Sequence, residues 1–365
     1  MAATFASGSE RARRRADTLP PVSTLLTRVS RAALRGALQA PVPLLTSLSG
    51  GPIHRDGQTL DPQLAALKAA ADRLPLHAVQ RLPPPEARVR MAWSQGLLDV
   101  EPRPMEVVRH LAAPGPAGRI PIRLYQPRRA GDGLIVFFHG GGGVIGSVDS
   151  YDPLVRLIAD ETGCRVASVD YRLAPEHPHP AAIDDAEAAW RYLAAHAPRL
   201  GADPTRLALL GDSMGGYLCA HVERRARPAP RPALMALVYP LTDLTRSLPS
   251  HAAFGDGFFL TADLIDWFLG HYLTDPSGHR AASPLFFDDV AGAPPTLMVT
   301  AGFDPLRDEG HAYAERLRRA GADVEVRCHA GLVHGFAGMT GAIDAARAAV
   351  VALCRDLTAA LAPRA

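Results

Sequence analysis

From Arg206 the chain runs through Leu207-Ala208-Leu209-Leu210 straight into Gly211-Asp212-Ser213-Met214-Gly215-Gly216, with no residues left over for a loop. An apolar strand, a sharp turn and a helix start fit that order, and such a turn pushes a serine side chain out of the fold. The glycines follow from sterics, because strand and helix can approach closely only where their flanking residues lack a Cβ. Ser213 is the candidate nucleophile. The bland alternative is a glycine-rich connection with an incidental serine, and the order of the surrounding elements decides between them.

From about residue 106 onward, short apolar runs alternate with longer segments of helical period, which predicts a mostly parallel sheet with helices on both faces. Strands are expected at 106–112, 119–126, 134–138, 165–170, 206–210, 234–239, 296–301 and 323–328. Helices are expected near 150–163, 181–197, 214–226, 308–320 and 341–361. The turn Pro114-Gly115-Pro116-Ala117-Gly118 makes the first two strands an antiparallel hairpin.

Two regions break this rhythm. In residues 1–105, Asp61-Pro62 opens a helix with a capping carboxylate, and a second helix after Pro85 carries Val89, Trp93 and Leu97 on one side. In residues 244–290, Thr261 caps a helix whose Leu264, Ile265, Phe268, Leu269 and Tyr272 share a face. The expected organisation is an extension and cap segment over 1–105 and a catalytic core over 106–365, with 244–290 inserted as a second cap piece.

A formal charge of +2 from 39 basic and 37 acidic residues argues against a nucleic-acid partner and points to a small molecule. Lys68 is the only lysine. Cys164, Cys219, Cys328 and Cys354 are far apart and read as reduced, mostly buried thiols. No apolar run suits a membrane span or a secretory signal, so a cytoplasmic location is expected. Arg11, Arg13, Arg14 and Arg15 precede a helix with Leu25, Val29, Ala32 and Gly36 on one face and Arg28, Arg31 and Arg35 on another. That helix is expected to fray or to rest on the cap, not to attach to a membrane.

A serine hydroxyl needs a base, and the base needs an orienting group; loops at the carboxyl ends of later strands should supply both. Asp304 follows the strand ending near Ala301, and His334 lies in Gly331-Leu332-Val333-His334-Gly335-Phe336 after the last strand. Asp308 and His329 are the competitors; Asp308 is read instead as the cap of the helix that follows. The loop His139-Gly140-Gly141-Gly142-Gly143 can aim backbone N–H groups at a developing oxyanion, with Gly141, Gly142 and Met214 as the expected donors.

These motifs, in order with Asp170-Tyr171-Arg172-Leu173-Ala174-Pro175-Glu176-His177-Pro178 and Asp304-Pro305-Leu306, resemble the hormone-sensitive lipase-like esterases. The resemblance covers roughly residues 60 to 340. It implies an α/β-hydrolase fold with a mostly parallel eight-stranded sheet, helices on both faces and a helical cap. It implies hydrolysis of carboxylic esters without metal or cofactor, with Ser213, Asp304 and His334 as triad and Gly141, Gly142 and Met214 as oxyanion donors. The sequence departs from the family at Met214, at Gly143 in place of an aromatic, and at Tyr217 in place of asparagine. Gly143 is expected to widen the pocket.

The expected reaction is therefore serine-dependent cleavage of short- to medium-chain esters through an acyl-serine intermediate. Phe254, Phe258, Phe259, Trp267 and Phe268 suggest an apolar lining unsuited to charged substrates, with Gly143, Tyr217, Phe258, Phe259 and Trp267 as substrate contacts. Cap core is the equal alternative for these aromatics. The expected partner is a small-molecule ester, with no nucleic acid and no integral membrane segment; a homodimer is left open. Two rivals are a non-catalytic ligand-binding protein on the same fold and an NAD(P)-binding oxidoreductase. The second draws on Gly141-x-Gly143-x-x-Gly146 with Asp170 beyond it. His177 and His179 are spaced as a metal pair but lack acidic or cysteine neighbours, so no metal is expected.

Overall fold

The computed structural model describes residues 25–73, 78–227 and 230–362. The arginines at 11–15 lie outside the described residues. One eight-stranded sheet organises the chain, in the order β10-β9-β8-β7-β5-β6-β4-β3. Its strands are β3 (Val107–Gly115), β4 (Gly118–Gln126), β5 (Leu134–Phe138), β6 (Arg165–Val169), β7 (Leu207–Asp212), β8 (Leu234–Val238), β9 (Thr296–Phe303) and β10 (Val324–Val333). β5 through β10 pair in parallel, while β3 pairs antiparallel with β4, and β4 with β6. The hairpin β1 (His54–Arg55) and β2 (Gln58–Thr59) stands apart.

Central strands are buried on both faces, so they read as unbroken apolar runs, and alternate side chains feed two cores. Leu134, Val136 and Phe138 of β5 pack with Trp190 and Leu193 of α6 (Ala181–His196) and Leu218 of α7 (Met214–Ala226). Ile135 and Phe137 pack the other way, with Leu154 and Ile158 of α5 (Asp152–Thr162) and Leu353 and Leu357 of α12 (Asp344–Ala360). β9 and β10 run further than their expected ends, to Phe303 and Val333, with a register irregularity in β10 after His329. That extension brings the residues after each strand to the same edge.

The segment before the sheet forms α1 (Leu25–Leu38), α2 (Val42–Leu48), α3 (Pro62–Arg73) and α4 (Pro84–Leu98). Asp61 caps α3, its Oδ1 accepting from the N–H of Gln63 at 2.8 Å. The insertion forms α8 (Pro249–Phe254), α9 (Ala262–Tyr272) and the short α10 (His279–Ala282). Thr261 Oγ1 caps α9 by accepting from Leu264 N–H at 3.2 Å.

Two helices of the N-terminal segment leave large apolar residues of their stripes exposed. On α1, Val29 is 58% exposed, and the arginine face packs inward: Arg31 Nε donates to Gly96 O at 2.6 Å and Arg35 donates to Asp99 O. The unpaired carbonyls at the end of α4 attract the guanidinium groups, and this outweighs a weak apolar stripe. On α4, Val89 and Trp93 are 55% and 41% exposed, while Ala87 is buried and Met91 packs against the core. Among the described residues no helix is long and apolar enough to cross a membrane.

Candidate active site

Ser213 occupies the turn between β7 and α7 with φ 53° and ψ −116°, a strained conformation for a residue with a Cβ. The turn is held from outside by Ser213 N–H donating to Val238 O at 2.8 Å. A Cβ on Gly211 would strike the backbone of Gly215, and one on Gly215 would strike Phe138 O, so both positions admit only hydrogen. The extended β10 delivers His334, whose Nε2 lies 2.9 Å from Ser213 Oγ. The extended β9 delivers Asp304, fully buried, whose Oδ2 lies 2.9 Å from His334 Nδ1. A carboxylate only accepts, so Nδ1 carries the proton and the Nε2 lone pair faces the serine hydroxyl. Asp304 Oδ1 accepts from Leu306 N–H at 2.8 Å, which fixes the carboxylate plane.

The competitors go elsewhere. Asp308 does not cap its own helix, α11 (Arg307–Arg319), because it lies inside the first turn. Its Oδ2 instead accepts from Ser250 N–H at 2.9 Å, joining the insertion to the core. His329 is half-buried with its ring against Phe336. Neither touches Ser213.

Gly141, Gly142 and Gly143 have φ of 109°, 60° and 72°, left-handed values that only glycine adopts in series. Gly141 O accepts from the N–H groups of Val144 and Ile145, both at 3.0 Å, and Gly143 O accepts from Ala174 N–H at 2.8 Å. None of these bonds uses the N–H of Gly141, Gly142 or Met214. Met214 opens α7, where free N–H groups and the helix dipole favour negative charge.

Asp212, the residue before the serine, joins these parts, and sequence reasoning gave it no role. Its Oδ1 accepts from Gly140 N–H at 2.8 Å, and its Oδ2 accepts from the hydroxyls of Tyr151 at 3.1 Å and Tyr239 at 3.5 Å. Tyr239 OH in turn accepts from Ala337 N–H at 3.3 Å, and its ring lies 4.7 Å from that of His334. One carboxylate thus links the glycine loop, the serine turn and the histidine loop. The available signal is a carboxylate at the end of a wholly buried strand. Burial pushes the Asp212 carboxyl up to about 6, against the opposing pull of Tyr151, His334 and the Gly140 N–H.

The sign of that shift makes a prediction. Between about 4 and 6 the folded state holds a proton that the unfolded chain has lost, so Asp212 contributes stability that falls as pH rises through this window and is level above it. Asp212→Asn should flatten denaturation midpoints measured across that range, leaving the slope from Asp99, whose burial likewise pushes its carboxyl up to about 6, and from Glu309 and Asp61, which burial also pushes up. Asp212→Ala, which removes the acceptor of Gly140 N–H and so loosens the glycine loop, should lower kcat by about ten- to a hundredfold.

A cavity of about 530 Å³ opens over Ser213 and His334. One wall is the expected face of α9, with Leu264, Ile265, Phe268, Leu269 and Tyr272, joined by Phe259. Four expected substrate contacts stand behind the lining and require correction. Gly143 does not widen the pocket, because Tyr272 fills the space in front of it and a Cβ there would meet that ring at 2.7 Å. Tyr217 is fully buried edge-on to Tyr272. Phe258 closes a buried cluster with Phe254 and Phe303, at ring separations of 5.9 and 5.1 Å. Trp267 packs against Phe268 and His271, outside the lining. Helical period places residues on a face, but only the packed neighbours decide which of them reach the cavity.

The dinucleotide reading fails on geometry. α5 begins at Asp152, well past the glycine loop, and the space a Gly146 Cβ would need is taken by His139 and Gly140. His177 is exposed, His179 sits edge-on to Tyr272, and the described residues contain no cluster of three metal-ligating side chains.

Residues 135–338 match the family described as alpha/beta hydrolase fold. The chain is 42% identical to the carboxylic ester hydrolase LipN of Mycobacterium tuberculosis, over 81% of this chain and 82% of that one. It is 35% identical to an ethyl acetate hydrolase of Pseudomonas putida, covering 82% of this chain and 98% of the relative. Among solved structures, a thermostable esterase from Pseudomonas putida superposes with a TM-score of 0.80 at 30% identity, over 84% of this chain and 98% of that one.

Proposed function

The chain belongs to the alpha/beta hydrolase fold family and is a serine carboxylesterase of the hormone-sensitive lipase-like kind, and from that premise we propose that Ser213, His334 and Asp304 carry the reaction. Ser213 Oγ attacks the ester carbonyl as His334 Nε2 takes its proton. Asp304 holds the imidazolium that results. The N–H groups of Gly141, Gly142 and Met214 receive the oxyanion, each such donor being worth about 3 kcal/mol in related chemistry. Collapse breaks the carbonyl–alkoxy bond, and His334 returns the proton to the leaving alcohol. Water then attacks the acyl-serine, giving its proton to His334, and the acid departs as Ser213 is reprotonated.

The observation that carries this reading is the unbroken hydrogen-bonded chain from Ser213 through His334 to buried Asp304, with two separations of 2.9 Å. Short- to medium-chain acyl groups suit the cavity, because its α9 wall is apolar and its volume of about 530 Å³ is modest. A panel of p-nitrophenyl esters from acetate to laurate tests this, with the expected optimum at butyrate or hexanoate. Laurate should fall about tenfold or more below it in kcat/KM. A monotonic rise to laurate would reject the chain-length reading.

A further inference from the structure

α4 supplies another part of the cavity wall and turns a strip of polar side chains into it along with two apolar ones. Val89 and Trp93 stand 55% and 41% exposed to solvent, while Arg90, Ser94 and Gln95 line the cavity beside Met91 and Leu98. Exposing two large apolar side chains while half-burying an arginine is unfavourable for a cap that serves only to exclude water. It becomes reasonable if the strip meets something polar inside the cavity.

The hydrogen bonding of the strip is incomplete, with a charged donor and a neutral acceptor both left open. Arg90 is half-buried, and its guanidinium has no ion pair or hydrogen bond among the described residues. Gln95 Oε1 is buried without a partner. Nearby Arg88 shows what a structural arginine does here: it grips Glu176 at 2.8 and 2.6 Å and donates to Val144 O and Ala174 O. The other cation in the lining, Lys68, pairs with Asp72 at 2.5 Å. The carboxylate of Asp212 already accepts from Gly140, Tyr151 and Tyr239. Arg90 is therefore the unmatched charge of a cavity whose α9 wall is apolar.

We propose that the natural ester is amphipathic and bears a carboxylate on a part remote from the scissile carbonyl, which Arg90 receives while the hydrocarbon lies along α9. The half ester of a dicarboxylic acid is the simplest member of this class. A planar guanidinium can take a carboxylate through two parallel hydrogen bonds, strengthened where water is partly excluded. The proposal rests on the esterase reading of Ser213. It departs from the expectation of an uncharged substrate, which drew on aromatics that stand largely outside the lining.

Matched ester pairs test it. On the acyl side, p-nitrophenyl hexanoate is compared with the p-nitrophenyl half ester of adipic acid. On the alcohol side, hexyl butyrate is compared with the butyrate ester of 6-hydroxyhexanoate. The wild type should prefer the anionic member of at least one pair in kcat/KM. Arg90→Gln should lower that anionic-to-neutral ratio about tenfold, Arg90→Lys should keep most of it, and raised salt should erode it. A neutral preference or parity in both pairs, or a ratio untouched by Arg90→Gln in a variant with a native melting curve, would overturn the proposal and leave the esterase reading standing. Failure of the wild type to hydrolyse any of the four esters would strike that reading instead.

Discussion

Ser213→Ala should lower kcat by about a millionfold, while the thermal midpoint stays within a few degrees of wild type. The substitution removes one oxygen and keeps the Cβ, so the strained turn at φ 53° and its anchor from Ser213 N–H to Val238 O are retained. What disappears is the atom 2.9 Å from His334 Nε2, and with it the acyl intermediate. Ester turnover measured beside fluorophosphonate labelling checks this. A variant that keeps more than about a hundredth of the wild-type rate, or still takes the label, would show that another residue is the nucleophile.

Asp304→Asn should cost about ten-thousandfold in kcat at neutral pH. The carboxylate is fully buried and only accepts, so it selects the tautomer with the proton on Nδ1. An amide can present an N–H to that nitrogen, which moves the imidazole proton to Nε2 and leaves no lone pair for the serine. The bond from Leu306 N–H to Oδ1 survives in the amide, so the fold should hold. Asp308→Asn is the informative contrast. It weakens the tie to Ser250 between insertion and core, and its effect should appear in the melting temperature with less than about a tenfold change in kcat. If the two variants behaved alike, the orienting role would not belong to Asp304.

Much of the fold is legible because a parallel sheet buried on both faces writes itself as apolar runs separated by helical periods. β5, expected at 134–138, is found there, and α7, expected at 214–226, matches as well. Candidate site residues are legible for a related reason: Ser213, Asp304 and His334 each stand immediately after a strand, and parallel strands present their carboxyl ends at one edge. The inserted helix is equally readable, from Thr261 at its cap to the face that lines the cavity. The role of Asp212 is not legible, because its partners Gly140, Tyr151 and Tyr239 come from three other segments and no local pattern links them.

The sequence by itself determined the order of strands and helices, the serine turn and the glycine loop, since each depends on residues adjacent in the chain and on backbone sterics. Tertiary structure decided the facing of α1 and α4, the filling of the space beside Gly143 by Tyr272, and the place of Arg90 in the cavity wall. A stripe of apolar residues states that a helix has two unlike faces. Which face is covered depends on the free energy of contacts with distant segments, and near the end of α4 bare carbonyls held arginines more firmly than solvent repelled a few exposed apolar side chains.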